Sequence, residues 1–143
     1  MSALEKADHP GRHVVLAFCD RLSSRDFAGM RALVTDDMTW FVPGRPDRIN
    51  YAGLFTFDQI LPNLEGFLGG LEDFSFSVID TVAEGDMVVV EARSQGRLNG
   101  AIYDNCYLMK YKLRDGRILS LKEYLDHSNV AAFLEQLEIP AAS

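Results

Sequence analysis

The sequence predicts an α+β fold, helices gathered on one face of a mostly antiparallel sheet, and three observations carry that reading. The last third, Met87 to His127, alternates as three long strands around Asn99-Gly100 and Asp115-Gly116. Such pairs favour two-residue type I′ turns, because both central residues need positive φ. The first third instead spaces its apolar residues by three and four, as helices do. A strand and a capped helix lie between, so the order runs helix, helix, strand, helix, four-strand meander, short helix.

Asp8 can N-cap the first helix, with Pro10 tolerated in its first turn and Val14, Val15, Phe18 and Leu22 along one side, Phe18 aimed at the sheet. Ser23 and Ser24 interrupt it. Asp26 to Leu33 restarts the pattern with Phe27, Met30 and Leu33 together, and Thr35-Asp36-Asp37 reads as a turn or cap. Met38 to Val42 is a strand holding Trp40, the single tryptophan, and Pro43-Gly44 ends it. The polar stretch Gly44 to Ala52 is a surface crossing or a flap over a pocket mouth, the plain crossing being the commoner use of such loops. Thr56-Phe57-Asp58-Gln59 matches a capping box and opens a helix toward Gly69-Gly70, which Pro62 kinks or delays. Phe74 to Ala83 is a strand turning at Glu84-Gly85. A tight turn there would face Ser75 and Ser77 inward, whereas a bulge at Gly85 would bury Phe74, Phe76 and Val78; burial worth about 1.5–3 kcal/mol for each favours the bulge. Ser128 caps a final helix, Asn129 to Leu137, carrying Val130, Phe133, Leu134 and Leu137.

The two Gly-containing turns also set register. An Asn99-Gly100 turn pairs Leu98 with Ala101, and an Asp115-Gly116 turn pairs Arg114 with Arg117. Counting back by the strand period places Ser94, Asn105 and Asp126 in one row, then Ala92, Tyr107 and Tyr124, then Val90, Met109 and Lys122, all on one face. That face is aromatic with one polar row, and it is the candidate core and pocket wall. The opposite face mixes Glu91, Arg93, Lys110 and Glu123 with Leu108, Leu121 and Leu125, as suits a partly wet face or one paired with a second subunit. Glu91 and Glu123 flank Leu108 there, with Lys110 diagonal to both, which reads as a surface ion-pair cluster or a dimer contact.

A chain of 143 residues reads as one domain, 1–143 with its core about 12–137, large enough for a sizeable hydrophobic interior without metal or disulfide. Its formal net charge of -7, from 21 acidic and 14 basic residues, argues against nucleic acid or an anionic membrane as partner. Cys19 and Cys106 lack metal or redox spacing and read as small buried hydrophobes of a reducing compartment. Residues 1–12 lack an apolar signal core and no run approaches a membrane span, so a cytoplasmic location is expected. His9 and His13 lie four apart on a helix without a matched third ligand, so no metal site is expected.

Trp40-Phe41-Val42-Pro43-Gly44, Ala83-Glu84-Gly85-Asp86 followed by Val88-Val89-Val90-Glu91, Tyr103-x-Asn105-x-Tyr107, and Asp115-Gly116-Arg117-Ile118 leading to Glu123-Tyr124-Leu125-Asp126 resemble the SnoaL-like, ketosteroid-isomerase-related proteins. These belong to the nuclear transport factor 2-like superfamily. The resemblance spans roughly Arg12 to Leu137 and implies a cone-shaped (cystatin-like) curved sheet with helices on its concave face, commonly a homodimer through the outer sheet face. It implies fold more than activity, since one fold hosts many chemistries. The steroid isomerase positions fall on Phe18, Val42 and Met109, which cannot do that work. Of the limonene epoxide hydrolase set only the final aspartate is matched, by Asp126, the others falling near Ala92, Ser94, Thr39 and Phe41. The SnoaL polyketide cyclases use a pocket aspartate from the last strand as acid/base, and Asp126 stands at that place.

Asp126, beside Tyr107, Tyr124 and apolar neighbours in this register, is therefore the candidate acid/base, with a pKa raised by burial. The competing structural role is an aspartate at the strand end that accepts from Ser128 and Asn129 and caps the last helix. Asn105 is the candidate orienter, since a buried amide without a partner costs about 1–3 kcal/mol. Tyr103, Tyr107 and Tyr124 are candidate donors to a substrate oxygen, or core aromatics with satisfied hydroxyls. Trp40, Phe18 and Met109 complete the candidate substrate wall. Lys122 pairs with a carboxylate or reaches the rim, and His127 points to the other face if the strand continues through it. Two functions follow: a cofactor-free acid/base enzyme for isomerisation, cyclisation or dehydration of a small apolar or aromatic carbonyl compound, and a non-catalytic dimeric module that binds a hydrophobic ligand.

Overall fold

The computed structural model describes residues 8–138. Four helices and six strands follow one another as α1 Pro10–Ser23, α2 Phe27–Ala32, β1 Val34–Val42, β2 Gly53–Thr56, α3 Phe57–Leu68, β3 Glu72–Glu84, β4 Met87–Leu98, β5 Ala101–Arg114, β6 Arg117–Leu125 and α4 His127–Glu138. The strands form one sheet in the order β2-β1-β6-β5-β4-β3, antiparallel except where β1 lies parallel to β6. The α+β class and the curved, unclosed sheet are as the sequence predicts. Helices α1, α3 and α4 cover the concave face with Val15, Phe18, Leu22, Phe57, Ile60, Val130 and Phe133, all buried. No described helix is long and apolar enough to cross a membrane.

Local chemistry accounts for most element ends. The capping box forms as written, Thr56 Oγ1 accepting from Gln59 N and Gln59 Oε1 from Thr56 N, and Pro62 is carried inside α3. At α1 the cap is His9 rather than Asp8: its Nδ1 accepts from Arg12 N at 3.2 Å. Thr35-Asp36-Asp37 is not a turn but the first part of β1, where pairing to β6 is irregular between Val34 and Thr39. Strand β2, four residues on the edge, has no signal strong enough to be read ahead of the structure.

Both Gly-containing hairpins are present, with positive φ at Asn99 (50°), Gly100 (84°), Asp115 (52°) and Gly116 (78°). β4 and β5 keep one register throughout, so Ser94 faces Asn105, Ala92 faces Tyr107 and Val90 faces Met109. β5 and β6 do not. After Leu113↔Ile118 the next pair is Lys112↔Ser120, leaving Leu119 as an extra residue. This bulge reverses every later side chain of β6.

The physical reason is burial. Ile118 and Leu121 are both fully buried, which a regular strand forbids for residues three apart. Without the bulge Lys122 would enter the apolar row of Val90 and Met109, and a buried unpaired ammonium is prohibitively costly. Leu121, Glu123 and Leu125 therefore face Tyr111, Met109 and Tyr107 on the concave side, while Lys122 and Tyr124 face outward. The inward rows expected for Asp126, Tyr124 and Lys122 are thus corrected.

β3 repeats the device. Its turn at Gly85-Asp86 is tight, Glu84 pairing with Met87, and the extra residue is Ile79, between Val78↔Ala92 and Asp80↔Glu91. Phe76 and Thr81 are both buried as a result, and Phe74 and Val78 pack against the core. The bulge expected at Gly85 exists six residues earlier. Cys19 is buried as expected, whereas Cys106 is exposed on the outer face.

Candidate active site

Between the concave face and α1, α3 and α4 lies a cavity of about 470 Å³. Its apolar wall includes Ile60, Phe67, Phe74, Phe76, Met109 and Val130; its polar groups include Glu123, Tyr51, Tyr103, Tyr107 and Ser94. Glu123 is the carboxyl that the Leu119 bulge delivers. Its side chain is half-buried and lines the cavity. Trp40 Nε1 donates to Glu123 Oε1 at 2.9 Å, and no other hydrogen bond to the carboxyl exists among the described residues. Burial pushes the Glu123 pKa up to about 7, the indole N–H opposing the rise. A carboxyl titrating there can both take and give a proton near neutrality.

A row of hydroxyls runs along β4 and β5. Asn105 Oδ1 accepts from Cys106 N (2.8 Å) and Asp126 N (3.3 Å), which fixes the amide so that Nδ2 donates to Tyr103 OH (2.9 Å) and Asp126 O (3.0 Å). Tyr103 OH and Tyr107 OH are 2.8 Å apart, and Tyr107 OH and Ser94 Oγ 2.7 Å apart. Burial drives the Tyr107 phenol far above its ordinary range and raises Tyr103 too, although the bonds from Tyr107 and Asn105 temper the latter. These phenols stay protonated and can serve as donors to an oxygen in the cavity.

A third polar element comes from the loop after β1. His127 Nε2 lies 2.7 Å from Pro43 O, an atom that can only accept, so Nε2 carries a proton, and Nδ1 lies 2.8 Å from Tyr51 OH. The loop that could have been a plain crossing thus places Tyr51 in the cavity wall, with Asn50 beside it. Burial pushes the Tyr51 phenol up to about 12.

The candidate residues divide accordingly. Trp40, Tyr103, Tyr107 and Met109 line the cavity. Asn105 is buried behind it, holding Tyr103 and the backbone of Asp126 rather than a carboxylate. Phe18 is core, packed 5.9 Å from both Trp40 and Tyr111 ring centres, and does not reach the cavity. Tyr124 is 47 % exposed on the outer face. Asp126 lies outside the cavity, exposed, accepting from Ser128 N and Ser128 Oγ at the start of α4, and these bonds hold its pKa below the usual carboxylate range. That is the helix-capping role. Glu123, Tyr51 and His127 were not on the sequence-derived site, and among the described residues no group of three His, Cys, Asp or Glu side chains converges as a metal site would require.

The profile of the SnoaL-like domain matches residues 15–121, most of the chain. The chain belongs to the SnoaL-like domain family. No curated protein sequence matches it. Among solved structures, this SnoaL-like chain is similar to TerC co-crystallised with polyporic acid, at 19 % identity over 89 % of this chain and 99 % of that one, TM-score 0.77. It is similar to IdmH from Streptomyces antibioticus, a proposed polyketide cyclase, at 19 % identity over 92 % and 100 % of the two chains, TM-score 0.73. It is also similar to an LEH-like epoxide hydrolase of M. tuberculosis, at 19 % identity over 90 % and 92 %, TM-score 0.70. At such identities the likeness speaks for the fold alone, and the activity of a SnoaL-like protein rests on the groups in its own cavity.

Proposed function

We propose that this SnoaL-like protein is an acid/base enzyme that needs no cofactor and isomerises, cyclises or dehydrates a small apolar or aromatic carbonyl compound. The observation that carries it is Glu123: one carboxyl, bonded among the described residues only to Trp40 Nε1, facing an aromatic cavity. In its ionised form Glu123 removes a proton from the carbon next to the carbonyl. The negative charge passes to the carbonyl oxygen, which accepts from Tyr103 or Tyr107, and the Glu123 carboxylic acid returns the proton to another carbon or to a departing hydroxyl. TerC, similar to this chain in fold, is co-crystallised with the small molecule polyporic acid, which supports a small-molecule occupant here without fixing its charge.

The second reading, a dimeric binding module without turnover, is favoured by the outer sheet face, where Ile102 and Leu108 are more than half exposed beside Tyr124. We propose that a second copy of the chain covers this face in either case. Exchange of the α-protons of 2-tetralone in deuterated buffer separates the two readings. The enzyme reading expects exchange above the buffer rate that Glu123→Gln abolishes and Asp126→Asn keeps; exchange at the buffer rate by the wild-type protein leaves the binding module.

A further inference from the structure

We infer, building on the acid/base reading of Glu123, that the cavity selects by charge: its substrate is uncharged, an ester, lactone or ketone, free acids of the same shape are turned away, and apolar amines are accepted. The ground for this is the composition of the wall. Among the described residues that line the cavity, Glu123 is the one carboxyl and there is no Lys, Arg or His. A carboxylate ligand is ordinarily held by a guanidinium, an ammonium or several N–H groups. Here it would meet another carboxyl.

The groups around Glu123 supply no hidden cation. From β5 and the loop after β1 it is faced by the phenols of Tyr103, Tyr107, Tyr111 and Tyr51, all neutral and with pKa values raised. From β1 comes the Trp40 indole. His127 stands behind Tyr51, held at Pro43 O and Tyr51 OH, and does not line the cavity. Arg25 lies over the Phe74 ring, but its Nη1 is bonded to Leu68 O (2.9 Å) and Leu71 O (2.7 Å). Helices α1, α3 and α4 turn apolar residues such as Leu22, Ile60 and Val130 to the cavity, and the one polar side chain that α3 adds, the Asn63 amide, is uncharged.

Two carboxyls confined to one apolar space cannot both ionise, so one of them keeps a proton. An acid therefore binds with proton uptake, and its affinity falls about tenfold for each pH unit above the titration of Glu123. An amine binds with proton release from Glu123, and its affinity rises by the same factor per unit up to that point. An ester exchanges no proton and responds weakly. Selection arises from a repulsive element, not from a better fit.

The test uses three probes with one ring system, methyl 2-naphthoate, 2-naphthoate and 2-naphthylmethylamine, titrated into the full-length protein from about pH 5.5 to 8.5. The readout is the indole N–H resonance of Trp40, the single tryptophan and the hydrogen-bond partner of Glu123. Expected are a flat ester, a naphthoate at least about tenfold weaker at pH 8.5 than at 6.5, and an amine at least about tenfold tighter at 7.5 than at 5.5. Glu123→Gln flattens all three, while Glu123→Asp and Asp126→Asn keep the slopes. Naphthoate as tight as its ester at pH 8.5, slopes that survive in Glu123→Gln, or failure of the ester to bind would overturn the inference. Turnover plays no part in the readout: slopes without α-proton exchange sink the enzyme reading alone, and exchange without slopes sinks this one alone.

Discussion

The indole N–H of Trp40 on β1 donates to Glu123 Oε1 on β6 across 2.9 Å, joining two parallel neighbouring strands at the wall of the cavity. This bond favours the ionised carboxyl and opposes the larger effect of burial. Trp40→Phe keeps a ring against Phe18 but removes the donor. The Glu123 pKa is then expected to climb above about 7, read by carbon-13 titration of the side-chain carboxyl; a value unmoved or lowered would show that the bond does not tune it.

Glu123 also lowers stability with a definite sign. Folded, it holds its proton up to about 7; unfolded, it releases it near 4.5. Stability therefore falls as pH rises from about 4.5 to about 7 and stays lowered above, by at most about 3 kcal/mol, since the open side of the cavity screens the charge. Glu123→Gln is expected to raise the melting temperature at pH 8 and to leave it close to wild type at pH 4. Equal melting curves at pH 8 would mean that the carboxyl is not held in an apolar setting.

Asp126 should behave in the opposite way. Its folded pKa is depressed by the bonds from Ser128, so its contribution is present above the unfolded value of 3.8 and fades as pH falls through the folded one. Asp126→Ala is expected to lower the melting temperature at pH 7 with no change in the carbon-13 titration of Glu123 or in ligand affinity. A loss of affinity without a loss of stability would return Asp126 to the site.

Deletion of Leu119 would remove the extra residue, so that Ile118, Ser120 and Leu121 follow one another against Leu113, Lys112 and Tyr111 and Glu123 stays opposite Met109. Lys122 then stays on the outer face opposite Lys110, and the variant is expected to keep cooperative unfolding in denaturant and the raised Glu123 titration. A folded deletion variant that lost the raised Glu123 titration would contradict the bulge at Leu119.

The outer face gives a prediction about assembly. Leu108 is 56 % exposed between Glu91 and Tyr124 on neighbouring strands. Leu108→Arg is expected to turn a dimer into a monomer in sedimentation velocity while cavity ligands still bind; a wild-type protein that is monomeric at high concentration would refute the proposed pairing.

What the sequence disclosed depended on whether a feature had a residue that only that feature needs. Asn99-Gly100 and Asp115-Gly116 sit where positive φ is required, so both hairpins and the whole β4–β5 register could be read, and with them Tyr103, Asn105 and Tyr107. Bulges in mid-strand need no glycine, and Leu119 and Ile79 carry none. The signal for the first was present in another form: an unbroken count put Lys122 among Val90 and Met109 and left Ile118, Leu121 and Leu125 on conflicting sides. Given that weight, the count would have yielded Glu123 instead of Asp126. The bond from Tyr51 to His127 spans 76 residues between an irregular loop and a helix start, and no local pattern encodes it.

The parallel seating of β1 against β6 bears on how the chain acquires its shape. The Trp40 to Glu123 bond closes a span of 83 residues, so the strand that leads early in the sequence waits for nearly the last one to be made. Contacts so distant along the chain form late and slowly. Until β6 leaves the ribosome, Met38, Trp40 and Val42 lack the neighbour that shields them, and a nascent chain halted before Arg117 would present this greasy ribbon to chaperones.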